Sequence, residues 1–201
     1  MNYLAHAYLS FGQDEVLVGN FIGDFVKGKM MNNFPLQVRN GIKLHREIDM
    51  FTDSHSLVRA GQSYLRPKFG HYSTVITDIY FDYFLAKNWS KYSDLPLAEF
   101  TQNTFATLNR YQQYFPDRFA SMFKWMVQDN WLLKYGEIEG IQQTLIGMSR
   151  RTRFDSKMEV AHLTLQEKEE EFQVIFFAFF EELETFAREK LIEIQNSNAG
   201  Y

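Results

Sequence analysis

Two histidines and two aspartates fall within residues 44–55, which read LHREIDMFTDSH. They are His45, Asp49, Asp53 and His55, and the chain has only five histidines in all. Neutral imidazole and carboxylate together suit Mn²⁺, Fe²⁺, Zn²⁺ or Mg²⁺, the ions that orient phosphoesters and activate water in hydrolytic chemistry. The segment is therefore typical of one wall of a metal site.

Helical periodicity divides these side chains into two groups. Val38, Ile42, His45 and Asp49 are spaced 4, 3 and 4 residues apart, so a helix places all four on one face. The apolar first half predicts that this face enters the core, and its second half carries the imidazole and the carboxylate. Asp53 comes after this stripe, where a helix N-cap is an equally good interpretation.

Acidic side chains also interrupt two other apolar segments. Asp78 and Asp82 lie in TVITDIYFDYFLAKNW, whose apolar residues cover nearly every face of a helix, and Asp24 lies in NFIGDFVKGK. A buried carboxylate must face a cavity or be neutralised by a proton, an arginine or a metal ion. We therefore predict a shared metal site held by Asp24, His45, Asp49 and Asp78.

Simpler interpretations exist for the remaining groups. His6 lies in the N-terminal YLAHAYL. Considered alone, it is more typical of a hydrogen-bonded core histidine than of a metal ligand. His55 has the position of a first-turn helix residue, and Asp82 has the option of pairing with an arginine.

Basic side chains surround the same segments. Lys27, Lys43 and Arg46 lie close in sequence to the acidic residues, and Arg150 lies in the later MSRRTRF. They are either solvated helix faces or contacts for a phosphate and an acidic partner.

The composition excludes several classes of protein. A net charge of −4 argues against a general nucleic-acid binder, and the absence of cysteine excludes disulfides and thiolate metal sites. The start of the chain lacks the cationic region of a signal peptide, and the apolar run at 174–180 is too short to span a bilayer. We expect a soluble, cytoplasmic protein with no membrane contact.

Helical signals dominate the chain, and strand signals are poor. We predict one all-α domain over residues 1–201, a helical bundle of about eight helices. Their predicted ranges are 14–31, 35–51, 54–65 (ending before Pro67), 73–88, 97–113, 117–134, 137–149 and 156–195.

Five segments taken together resemble the acyl carrier protein phosphodiesterase family. They are MNYLAHAYLS, VGNFIGDFVKG, GIKLHREIDMFTDSH, DIYFDYFLAKNW and WLLKYGEIEGIQQTLIGMSRR, and they cover nearly the whole chain in order. The resemblance implies an all-α, HD-like hydrolase, distantly related to the HD-type metal-dependent phosphohydrolases. It also implies a metal-dependent reaction, with Mn²⁺ the most typical ion and Mg²⁺ or Fe²⁺ as alternatives. The implied reaction converts holo-acyl carrier protein to apo-acyl carrier protein and 4′-phosphopantetheine.

The resemblance also implies roles for particular residues. We assign catalytic roles to Asp24, His45, Asp82 and His55, with His6 as a further supporting or acid–base candidate, and contacts with substrate or partner to Arg46, Lys27, Lys43 and Arg150. No adjacent His-Asp dipeptide occurs in the chain, so the ligand set of the HD-type enzymes does not transfer directly.

Two other functions fit the same residues. One is a phosphohydrolase with the same site that acts on a nucleotide or another small phosphoester. The other is a non-catalytic helical binding module whose buried acids form structural ion pairs. The sequence predicts no nucleic-acid partner and leaves the oligomeric state open.

Overall fold

The computed structural model describes residues 1–197, and this part of the chain contains eleven α-helices and no strand. The predicted all-α fold is therefore confirmed. The helices are α1 Tyr3–Tyr8, α2 Asp14–Ile22, α3 Leu36–Ser54, α4 Ser56–Phe69, α5 Ser73–Lys87, α6 Leu97–Arg110, α7 Asp117–Gln128, α8 Trp131–Lys134, α9 Ile138–Ser149, α10 Ala161–Glu167 and α11 Glu169–Asn196. None of them is both long enough and apolar enough to cross a membrane.

The predicted first helix over 14–31 is wrong in its second half. The α-helix ends at Ile22, and two 3₁₀ segments follow at Gly23–Phe25 and Gly28–Asn33. Lys27 is extended, and Gly28 has a φ of 53°, which an α-helix cannot accommodate. Because α2 ends at Ile22, Asp24 lies exposed in the first 3₁₀ segment instead of on the face of an α-helix.

Three further boundaries differ from the prediction. Helix α4 continues through Pro67, which lies in its last turn, two residues before the helix ends at Phe69. Asn130 takes a left-handed conformation with a φ of 48° and separates α7 from α8. Lys168 separates α10 from α11, so the predicted helix over 156–195 is two helices.

Aromatic rings fill the core around α11. Phe172, Phe176, Phe179 and Phe180 are completely buried, and they follow the helical spacing that the sequence predicted. Helix α11 packs against α3, α4 and α5. Each such side chain stabilises the fold by about 1.5–3 kcal/mol relative to an exposed one, so α11 supports the helices that carry the acidic residues.

Two glycines bring α2 and α3 into backbone contact. A Cβ atom on Gly19 would lie 2.0 Å from the carbonyl oxygen of Val38, and one on Gly41 would lie 2.1 Å from that of Val16. Any side chain at either position would force the helices apart. This close crossing lets side chains of α3 reach the main chain of α2.

Candidate metal centre

His45 projects from α3 toward the end of α2 and is buried. Its Nδ1 donates to the main-chain carbonyl oxygen of Asn20 at 2.8 Å. A carbonyl oxygen only accepts, so Nδ1 carries the hydrogen, and Nε2 is the atom that binds a further proton or a metal ion. Histidine ligands of metal ions are oriented in this way by a hydrogen bond at the opposite ring nitrogen.

His6 projects from α1 and is oriented in the same way. Its Nδ1 lies 2.7 Å from the side-chain oxygen of Asn20. Its Nε2 lies 3.3 Å from Oδ1 of Asp49, but it is buried without a hydrogen bond. A buried ring nitrogen without a partner costs free energy unless something binds it.

Asp49 lies between the two histidines, one helical turn after His45. Its Oδ2 lies 3.2 Å from Nε2 of His45, which also lies 3.2 Å from Oδ1 of Asp24. Burial opposes protonation of His45, but the two carboxylates outweigh it and raise the pKa of His45 to about 9. Burial and the neighbouring His45 lower the pKa of His6.

Asp78 flanks this group on α5. Its Oδ1 lies 3.3 Å from the amino group of Met1, which in turn lies 3.4 Å from Oδ1 of Asp49. Burial and the repulsion from Asp49 raise the pKa of Asp78 to about 6, against the opposing effect of the amino group. The amino group therefore links Asp78 to Asp49.

Three of these side chains fit a metal ion. One ligand atom each from His6, His45 and Asp49 lie within 4.8 Å of one another. The unpartnered Nε2 of His6 is what a metal ion would satisfy, and a mixed set of imidazole and carboxylate suits Mn²⁺ or Fe²⁺. The structure therefore brings together two of the four predicted ligands, and it adds His6. Asp24 contacts His45, and Asp78 is linked through the amino group, so their roles as ligands remain predictions.

The structure places Asp82 beside the start of α1, and the catalytic role predicted for it stays a prediction. Asp82 is completely buried, and its two oxygens accept hydrogen bonds from the main-chain N–H groups of Leu4 at 2.8 Å and Ala5 at 3.1 Å. It satisfies the first turn of α1, whose N–H groups have no partner within the helix. Asp82 therefore anchors the helix that carries His6.

His55 lies apart from the two histidines of the centre, and the catalytic role predicted for it stays a prediction. Its Nδ1 accepts from the main-chain N–H of Leu57 at 3.3 Å as the N-cap of α4, and its Nε2 contacts Glu182 on α11. Ten residues separate it from His45, which corresponds to roughly 15 Å along α3. The N-cap role predicted for Asp53 is wrong, because Asp53 lies inside α3, which continues to Ser54.

The predicted contact residues are basic side chains at the surface. Lys27 and Arg150 are exposed, and Arg46 donates to the carbonyl oxygen of Val26 at 2.9 Å. Arg46 therefore holds the segment that follows Asp24. Lys43 is partly buried on α3.

Sequence patterns missed two features of the centre. His6 is predicted only as a core histidine or as a supporting or acid–base candidate, outside the ligand set, and no pattern points to Asn20. Burial raises the pKa of Tyr3, Asp24 raises it further, and Arg151 of the basic MSRRTRF segment lowers it. His6, Asn20 and Arg151 lie on α1, on α2 and in the segment before α10. Helical periodicity acts only within one helix, so it cannot show that they are neighbours in the fold.

Comparisons with known proteins give one family. The family model for acyl carrier protein phosphodiesterase matches residues 1–183. A protein of that name from Klebsiella pneumoniae (strain 342) is 35% identical over 158 residues, which is 78% of this chain and 82% of the relative. One from Escherichia coli O6:H1 is 35% identical over the same shares of both chains, and one from Photorhabdus laumondii is 29% identical over 181 residues, 90% of this chain and 91% of the relative. No solved structure matches the chain. With its helical fold and its His–Asp centre, the chain belongs to the acyl carrier protein phosphodiesterase family.

Proposed function

We propose that this protein is a metal-dependent phosphodiesterase that converts holo-acyl carrier protein to apo-acyl carrier protein and 4′-phosphopantetheine. Membership of the family supports the substrate. The observation that carries the metal dependence is the convergence of Nε2 of His6 and Nε2 of His45 on Asp49. A relation to the HD-type phosphohydrolases remains a prediction from the resemblance.

We assign His6, His45 and Asp49 to the binding of the metal ion. A bound divalent ion supplies Lewis-acid polarisation of a phosphoryl oxygen and lowers the pKa of water. Mn²⁺ or Fe²⁺ suits this donor set better than Mg²⁺, which prefers oxygen ligands throughout. Asp78 lies beside the group and supplies additional negative charge.

Asp24 is the carboxylate that a substrate can reach, since its side chain is 71% exposed. We assign it to accept a proton from the attacking water, beside Nε2 of His45. The water oxygen bonds to phosphorus, the bond from phosphorus to the serine oxygen of the carrier protein breaks, and a proton passes to that oxygen. The phosphate leaves with the pantetheine arm.

The basic side chains are assigned to the carrier protein, which is acidic as a class. Lys27 follows Asp24 by three residues on an exposed segment, and Arg150 is exposed at the end of α9. Complementary charge accelerates association and orients the partner more than it adds affinity. This assignment also includes Lys43 and Arg46.

The direct test is incubation of holo-acyl carrier protein with the purified protein and Mn²⁺, with and without a chelator. Mass spectrometry should show the apo form and free 4′-phosphopantetheine only when metal is present. Absence of release with Mn²⁺, Fe²⁺ and Mg²⁺ would contradict the proposal. Faster hydrolysis of nucleotides or small phosphodiesters would favour a phosphohydrolase of another substrate class, and failure to bind any metal ion would favour a binding module.

A further inference from the structure

We propose that Asn20 is the positioning residue of the metal centre. Its side chain sets the tautomer of His6, and its main-chain carbonyl oxygen accepts the Nδ1 hydrogen of His45, so that both rings present Nε2 to Asp49. The inference rests on the proposed metal-dependent function, but it concerns the protein before any metal or substrate binds. Asn20 itself is buried and touches neither.

The orientation of the Asn20 amide follows from its neighbours. One end lies 2.9 Å from the main-chain oxygen of His6 and 3.1 Å from Oγ of Ser10. The carbonyl oxygen only accepts, and Ser10 already donates its hydroxyl hydrogen to that oxygen at 2.7 Å. The end that faces both must therefore be the NH₂ group.

The opposite end of the amide is then the oxygen Oδ1, which only accepts. It lies 2.7 Å from Nδ1 of His6, so this ring nitrogen must carry the hydrogen. The lone pair of the neutral ring consequently lies on Nε2, which has no hydrogen bond.

The main chain of His6 depends on the same side chain. Helix α1 ends at Tyr8, and the main-chain N–H groups of Leu9 and Ser10 bond to Ala5 and Ala7. Neither of these N–H groups bonds to the carbonyl oxygen of His6. Asn20 and Ser10 provide its hydrogen bonds, so Asn20 holds both the ring and the backbone of His6.

Without the side chain of Asn20, the favoured tautomer of His6 would be the one that carries the hydrogen on Nε2. Oδ1 of Asp49 lies 3.3 Å from Nε2 of His6 and would accept a hydrogen from it. Such a ring could not bind a metal ion until the hydrogen moved. Asn20 therefore opposes the attraction of Asp49 for that hydrogen.

The backbone of Asn20 acts on the second ring. Its carbonyl oxygen accepts from Nδ1 of His45 at 2.8 Å, across the crossing of α2 and α3 that Gly19 and Gly41 permit. One residue thus orients two histidines that come from different helices.

The first test measures the tautomer in metal-free protein. Long-range ¹H–¹⁵N spectra at mildly alkaline pH should show His6 with its hydrogen on Nδ1, the signal being identified by its loss in His6→Gln. In Asn20→Leu the hydrogen should move to Nε2. Ser10→Ala is the matched control, because it removes hydrogen bonds of the same network but leaves Oδ1 of Asn20 facing His6. A wild-type ring with the hydrogen on Nε2 would overturn the proposal even if Asn20→Leu does not fold.

The second test is Mn²⁺ titration of the same variants by calorimetry. Removing a hydrogen bond that orients a metal ligand typically weakens binding about 10–100-fold, and we expect this for Asn20→Leu but not for Ser10→Ala. Equal affinities of the two variants would overturn the proposal. If holo-acyl carrier protein is not hydrolysed at all, the proposed function fails, but the tautomer and the titration still decide the role of Asn20.

Discussion

The imidazole rings of His6 and His45 are stacked, with centroids 4.3 Å apart and planes inclined by 24°. Two stacked imidazolium ions would repel each other, which agrees with the opposite pKa shifts of the two rings. Asp24 and Asp49 stabilise the protonated form of His45, whereas burial favours the neutral form of His6. The stack therefore presents one charged and one neutral ring to the same carboxylate in the metal-free protein.

The carboxylate between the rings is the first target for mutation. Asp49→Asn removes the negative charge that both Nε2 atoms face at 3.2–3.3 Å. We expect Mn²⁺ affinity and the rate of 4′-phosphopantetheine release to fall by roughly 100-fold or more. Loss of a hydrogen bond that only supports a metal ligand costs about 10–100-fold, and Asp49 is itself a proposed ligand. Calorimetry and a release assay measure the two quantities.

Glu47→Gln is the matched control for this variant. Glu47 lies on α3 two residues before Asp49 and, like Asp49, is partly buried. Its negative charge contributes to the raised pKa of Lys190. It should retain metal binding and activity. Similar losses in both variants would show that general charge on α3, and not the contact with the histidines, is responsible.

The second prediction concerns Gly23, which lies against the ring of His45. A Cβ atom at this position would lie 2.4 Å from Cγ and Cδ2 of that ring, and since the φ of Gly23 is −50°, alanine causes no backbone strain. Gly23→Ala should therefore displace His45 and weaken Mn²⁺ binding by at least about tenfold. Gly147→Ala, in open space on α9, should bind metal normally and gain up to about 1 kcal/mol in the free energy of unfolding. Unchanged metal affinity in Gly23→Ala would contradict the position of the ring.

Asp82 should make the stability depend on pH. Burial raises its pKa from 3.8 to about 7, against the effect of the N–H groups of Leu4 and Ala5. The folded protein holds this proton more tightly than the unfolded chain. The contribution of Asp82 is therefore fully present below its unfolded pKa and is lost as pH rises toward about 7, with a slope of about 1.4 kcal/mol per pH unit.

Asp82→Asn removes this titration. Urea unfolding in the presence of a chelator should show a steeper decline with pH for the wild type than for the variant. The variant should also lose about 1–3 kcal/mol at acid pH, because its NH₂ group faces the N–H of Leu4 or Ala5. Parallel stability curves would refute the raised pKa of Asp82.

Periodicity alone predicted the part of the centre that lies on one helix. The spacing of His45 and Asp49 predicted one inward stripe, and in the structure the imidazole is buried and the carboxylate half-buried beside it. Asp78 and Asp82 also share a stripe, but their environments differ. One turn along α5, Asp82 lies beneath the start of α1, which no pattern within α5 could reveal.

The rest of the centre depends on contacts between elements. His6 reaches Asp49 only because Asp82 anchors α1 and Asn20 receives its ring. Asp24 is exposed in a 3₁₀ segment that begins directly after α2 ends at Ile22, whereas hydrophobic spacing favoured a continuous helix. These relationships arise between turns and helix ends, where residue periodicity carries no information.

His55 should affect stability and not catalysis. It caps α4 through Leu57 and contacts Glu182, so His55→Ala should cost about 1 kcal/mol in the free energy of unfolding. The kcat for holo-acyl carrier protein should stay unchanged. His55→Asn retains a capping side chain and should recover most of the lost stability. A loss of kcat in both variants, with stability intact, would instead support a catalytic role for His55.

The exposed basic side chains should control association with the carrier protein. Lys27 follows Asp24 closely, and Arg150 adjoins Arg151, which, like Asp24, acts on the pKa of Tyr3. Both basic residues are therefore placed to meet a partner of the metal centre. The double variant Lys27→Glu, Arg150→Glu should raise KM for holo-acyl carrier protein about tenfold at low ionic strength, and salt should reduce the difference. The rate on a small phosphodiester should not change, because the metal ligands are untouched. The double variant Arg66→Glu, Lys68→Glu, an equal change of charge at the end of α4, is the control and should leave KM unaffected. If the control raises KM equally, net charge governs the encounter and these two residues form no docking surface.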